Sequence, residues 1–181
     1  FGRPFWEVTL DNGHRMLERA VWSHVVTAHC AAPLMMATAD RGSTGLIVEI
    51  TDGDFYGYRG NVFYDLVKTS VIRLAFIWAR ELRHKGIASV AVTPGFLRSE
   101  AMLEHFGVTA ESWRDAAAID PNFIASETPY FVGRAVAALA SDPRVSAKSG
   151  RVYSSWALAR EHGFDDVDGT RPDWGAHFER T

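Results

Sequence analysis

Apolar positions recur at helical spacing from residue 11 to 36, where Leu17, Val21, Val25, Ala28 and Met35 share one stripe. Thr9 or Asp11 can cap its start, and Pro33 is expected to kink the last turns or end the helix early. After the polar turn ATADRGST the period changes. GLIVEI, 45–50, is a short branched apolar run and predicts a buried strand. TDGDFYGYRGN follows as a glycine-punctuated loop. Helical spacing returns from Val62 to Lys85 and stops at Gly86. IASVAV, 87–92, predicts a second buried strand, closed by Thr93-Pro94-Gly95. Residues 96–127 are mixed, with helical pieces around 101–105 and 110–117. TPYFVGRAVAALASDP is a bounded helix, with Thr128 as cap, Pro129 at the first helical position and Asp142-Pro143 as the stop. GRVYSS, 150–155, predicts a third strand, and 156–181 an irregular tail.

Strand, helix, strand, helix, strand is an α/β pattern with parallel strands and right-handed crossovers. It predicts one βαβαβ unit, the second half of a Rossmann-like doubly wound sheet, in a single domain over 1–181. No G-x-G-x-x-G turn follows any of the strands. The glycines at 53, 57 and 60 are wrongly spaced to cradle a pyrophosphate and are crowded by aromatics and Arg59. The sequence opens at Phe1 rather than Met. The expectation is that roughly another hundred residues, enough to complete an ordinary domain, precede it in the native protein.

Composition narrows the partners. Net charge is −3 over 181 residues, without a basic stripe, so nucleic acid is not an expected partner. The apolar runs are too short to span a bilayer and one carries Arg73, so no membrane partner is expected and a cytoplasmic location is. The single Cys30 excludes an internal disulfide, no Cys/His spacing suits zinc, and His24 and His29 lie five apart, so no metal is expected.

One pair carries chemistry. Tyr64 and Lys68 are four residues apart at the head of the 62–85 helix, close to one face and about 6 Å apart along the axis. An ammonium group there stabilises phenolate and is expected to lower the tyrosine pKa from about 10 toward neutral. Such a phenol exchanges protons with a carbonyl or alcohol oxygen, and the helix N-terminus adds a positive field. The same spacing also describes an exposed pair with no role.

Taken together, IVEIT, YDLVK, VAVTPGFLRS and SDPRVSAKSGRVY resemble the short-chain dehydrogenase/reductase family, in the carboxyl-side part of its fold. The resemblance implies a nicotinamide-dependent oxidoreductase using NAD or NADP on a small carbonyl or alcohol substrate. It makes Tyr64 the acid/base, and Lys68 the residue that tunes it and holds the nicotinamide ribose. Thr51 takes the place of the substrate-polarising serine, with Asp52 as the competing alignment and a substrate-side residue. Pro94 and Gly95 become the turn beside the nicotinamide, and Ser99 a cofactor contact. Tyr56, Tyr58, Phe96 and Leu97 fall around the substrate, and 96–127 becomes a lid whose aromatics suggest an apolar or bulky substrate. Ala20 stands where the family has a relay asparagine, and an alanine side chain cannot hold a water. The choice of NAD or NADP is not readable, because the residues that make it belong to the other half of the fold. The resemblance also implies a homodimer or homotetramer through helices 11–36 and 62–85. The run VIRLAFIWA, apolar on nearly every side, is expected to be buried all round, with Phe76 and Trp78 as anchors. The rival function is a binding or scaffold protein that keeps this fold and has lost turnover.

Overall fold

The computed structural model describes residues 2–42, 44–53 and 57–179. Its elements, in chain order, are α1 (Leu10–Leu17), α2 (Ser23–Ala39), β1 (Gly45–Ile50), α3 (Val62–Leu82), β2 (Ile87–Thr93), α4 (Glu100–Phe106), α5 (Pro129–Ser141), α6 (Val145–Lys148), β3 (Val152–Ser154), α7 (Ser155–His162) and α8 (Trp174–Phe178). The sheet order is β1-β2-β3. β1 and β2 run parallel, from Gly45 opposite Ile87 to Ile50 opposite Val92. The chain packs as two compact units, residues 1–92 with 143–152, and 93–142 with 153–181.

In the first unit β2 is the centre, with every residue buried. That is why its sequence runs apolar rather than alternating. Removing side chains such as Val90 and Val92 from water is worth about 1.5–3 kcal/mol each. Helix α3 lays Val67, Val71, Ala75, Ala79 and Leu82 into this core at spacings of four, four, four and three. Its start is fixed by Asn61, whose side chain accepts from the Phe63 and Tyr64 amides. Its extension ends at Gly86, where φ is 69°. Helix α1 crosses α3 at Gly13, where a Cβ would sit 2.2 Å from the Phe63 ring. Only glycine permits that approach.

Several expectations need correction. Pro33 does not end its helix: α2 runs through it to Ala39. Pro33 is exposed, so the His29 carbonyl that loses its donor faces water. A π-helical turn over Glu18–Trp22 joins α1 to α2 and contains Ala20. Within the single chain one stripe of α3 reaches the core, while Leu66 and Phe76 are exposed and Trp78 is half-buried. The tail is not irregular throughout: α7 buries Trp156, Leu158 and Ala159. No helix among the described residues is long and apolar enough to cross a membrane.

The second unit has an aromatic core. Phe123 and Trp113 are buried, and Phe96, Met102, Leu103, Phe106 and Val108 pack against them. Ring centroids lie 5.0 Å apart for Phe96–Phe123 and 4.7 Å for Phe106–Phe123, distances at which edge contacts add to burial. The guanidinium of Arg98 stacks 3.8 Å from the Trp113 ring centre and bonds Asp168 at 2.9 Å. The aromatics of 96–127 thus pack on one another.

Candidate active site

In the first unit, the loop after β1 returns to the first turns of α3. Tyr64 and Lys68 share a face there, with the Lys68 ammonium 5.5 Å from the Tyr64 ring centre. The Tyr64 hydroxyl donates to Asp52 Oδ2 at 2.8 Å. Arg59 fastens this loop. Its Nε donates to the Asp52 carbonyl at 2.6 Å and its Nη1 to Asp65 Oδ1 at 3.0 Å. Gly53, with φ at 81°, lies under the guanidinium, where a Cβ would come within 2.8 Å of it.

The electrostatics differ from the sequence expectation. The Tyr64 phenol is pushed up from its ordinary pKa, first by burial and then by the hydrogen bond and charge of Asp52, with Arg59 opposing. Lys68 is pushed down by burial, against Asp52 and with Arg59. Burial and the acid beside the phenol together keep its proton on, so the expected lowering toward neutrality does not occur in this arrangement.

Thr51 is buried and its hydroxyl donates to the Lys68 carbonyl at 2.8 Å, tying the end of β1 to α3. A hydroxyl has one proton to give, so Thr51 cannot donate to a substrate oxygen while that bond stands. Asp52, the competing alignment, is the residue that meets Tyr64. Tyr58 is exposed. Tyr56 lies outside the described residues.

The remaining predicted residues belong to the second unit. Ser99 caps α4, its side chain accepting from the Met102 amide. The Phe96 ring packs among Phe106, Phe123 and Trp174. Leu97 bridges to Glu127, and Pro94 and Gly95 are half-buried. The Gly95 amide donates to Glu127 Oε2 at 2.8 Å. Sequence reasoning missed Glu127, because SETP reads as a helix cap rather than as a buried acid. It also read Arg59 only as crowding, and no local pattern announces a clamp made by folding a loop back.

The family model described as enoyl-(acyl carrier protein) reductase matches residues 1–153. The mouse protein "Dehydrogenase/reductase SDR family member 1" is 31% identical over 169 residues, covering 92% of this chain and 52% of its own length. The chain thus spans about half the length of that curated relative. Among solved structures, 3-ketoacyl-(acyl-carrier-protein) reductase from Brucella melitensis, complexed with NADH, superposes with a TM-score of 0.66 at 16% identity, over 84% of this chain and 60% of that one. A halohydrin dehalogenase bound to ethyl (2S)-oxiran-2-ylacetate gives the same TM-score at 18% identity, over 85% and 62%. A dehalogenase and a reductase on one fold show that the fold alone does not name the chemistry. The matched family, and the parallel sheet with the Tyr64–Lys68 helix beside it, place the protein: the chain belongs to the short-chain dehydrogenase/reductase family.

Proposed function

We propose that the protein is an oxidoreductase that uses NAD or NADP to interconvert a carbonyl and an alcohol, with Tyr64 as the proton carrier. The observation that carries this reading is the stacking of Lys68 under Tyr64 on the first turns of α3, 5.5 Å from ammonium to ring centre. The nicotinamide supplies or accepts the hydride when bound. In the reducing direction Tyr64 gives its hydroxyl proton to the substrate oxygen. In the oxidising direction it takes that proton back. Lys68 stabilises the phenolate between the two and binds the ribose. Asp52 holds the phenolic proton at rest and receives any donor on the substrate. Pro94, Gly95 and Ser99 serve the cofactor, Leu97 and Tyr58 the substrate, and the protein associates through α2 and α3. Exposed Val26, Leu34, Leu66 and Phe76 on those helices favour that association.

The scaffold reading draws support from the two hydroxyls already spent, Tyr64 on Asp52 and Thr51 on the Lys68 carbonyl, and from Ala20. One experiment separates them. Full-length protein is titrated with NADH and NADPH by fluorescence, then assayed on a ketone panel alongside Tyr64→Phe. Turnover that the substitution abolishes supports the enzyme. Cofactor binding with no Tyr64-dependent turnover leaves the scaffold, and binding of neither cofactor defeats the oxidoreductase.

A further inference from the structure

Glu127 is the most buried acid of the second unit, 1% exposed. Both hydrogen bonds to its carboxyl fall on Oε2, from the Gly95 amide at 2.8 Å and the Ser155 hydroxyl at 2.6 Å. Oε1 is buried too and has no hydrogen-bond partner among the described residues. The main chain closes the same contact. The Glu127 amide donates to the Phe96 carbonyl at 2.9 Å, and the Arg98 amide donates to the Glu127 carbonyl at 2.7 Å. Gly95 can carry no side chain in this clamp: a Cβ would lie 2.7 Å from Trp174 Cβ and 3.1 Å from Glu127 Oε2. The Glu127 carboxyl and the Trp174 side chain thus both press on the Pro94–Gly95 turn.

We propose that Glu127 is a positioning residue for the cofactor: by holding the Gly95 amide it fixes the course of the Pro94–Gly95 turn, and cofactor affinity depends on that hold. The inference rests on the oxidoreductase reading above, which gives this turn to the nicotinamide. The shape of the side chain matters more than its charge, because the two groups that grip Oε2 are neutral donors. The charge that acts on its carboxyl is Asp166, occupied by the Thr128 amide and hydroxyl, with Arg98 3.8 Å from Asp166 and bonded to Asp168. An amide of the same shape keeps an acceptor for Gly95, whereas alanine removes the arm.

The test uses full-length protein as wild type, Glu127→Gln and Glu127→Ala. Two quantities are read: hydrogen exchange of the Gly95 amide, and the Kd for NADH and NADPH by fluorescence. The alanine variant is expected to exchange Gly95 about tenfold faster and to bind the cofactor about tenfold more weakly. The glutamine variant is expected to stay within about threefold of wild type in both. A purely structural residue lowers thermal stability without moving Kd, so unchanged cofactor affinity in Glu127→Ala overturns the proposal, as does unchanged exchange at Gly95. Should the alanine variant not fold, Glu127→Asp, one methylene shorter, reads the same two quantities. Failure of wild type to bind either cofactor removes the oxidoreductase reading and this inference with it. Wild-type binding beside an unaltered alanine variant removes the inference alone.

Discussion

Asp52 and Glu127 are both carboxyl side chains that accept from a group proposed to serve the active site, yet their surroundings are opposite. Asp52 is half-buried on a loop, beside the Tyr64 hydroxyl, the Arg59 clamp and the Lys68 ammonium. Glu127 is enclosed, gripped by an amide and a hydroxyl, and no cation among the described residues pairs with its carboxyl. The first arrangement mixes charges that can respond to a ligand, since opposite charges near the surface trade partners cheaply. The second cannot trade: a buried carboxyl without a cation gives up its charge instead. Burial lifts Glu127 from 4.5 to about 7, against the bonds from Ser155 and Gly95 and with help from Asp166. Adjustable charge thus surrounds Asp52, whereas Glu127 is held by shape.

The sharpest way to break this contrast is Tyr64→Phe. If the first unit carries the proton, turnover falls by about 10²- to 10⁴-fold, while cofactor Kd and the unfolding midpoint stay near wild type. Wild-type turnover in that variant ends the assignment. The next effect is on stability. A carboxyl whose folded pKa lies above its unfolded value stabilises fully below pH 4.5, and that contribution is lost as pH rises toward 7. Across that window Glu127 costs wild type about 3 kcal/mol, a loss that Glu127→Gln does not suffer. Denaturant unfolding at pH 4.5 and 7.5 compares them, and parallel curves refute a buried neutral acid. A smaller effect is expected at Asp52. Asp52→Asn removes the charge that holds the phenolic proton, so the Tyr64 ionisation moves down. Ultraviolet difference titration against Tyr64→Phe reads it, and an upward or absent shift contradicts the pairing. Smallest of all is Arg171→Ala. The Arg171–Asp165 pair is 2.6 Å long but about half exposed on both sides, so its loss changes stability by less than about 1 kcal/mol.

What the sequence revealed was local. β1 and β2 announce themselves as branched apolar runs, Gly86 as a left-handed stop, and Pro129 as a helix start, because each signal depends on neighbours within a few residues. The short α7 was missed, although Ser154 accepts from the Ala157 amide as its cap and Gly163 closes it at φ 74°. Eight residues with Arg160 and Glu161 among them give too short a stripe to read. The Tyr64–Lys68 spacing was legible, but the sign of its electrostatics was not. That sign is set first by the burial of the phenol and then by Asp52, which a loop fastened by Arg59 brings to its hydroxyl. The burial of Glu127 was illegible for the same reason at longer range, since its partners Gly95 and Ser155 lie 32 and 28 residues away.

The place of β1 in the sheet has a practical consequence. It pairs with β2 on one side, and among the described residues no strand covers the other. Its six residues, GLIVEI, contain a single charge, Glu49, and that side chain is held by His24. A strand of this kind, short of gatekeeping charges and with one row of amides and carbonyls unmatched, is a template on which further strands can add. Residues 1–181 prepared by themselves would therefore be expected to precipitate through this border, and a lysine in place of Val48 should keep them in solution longer.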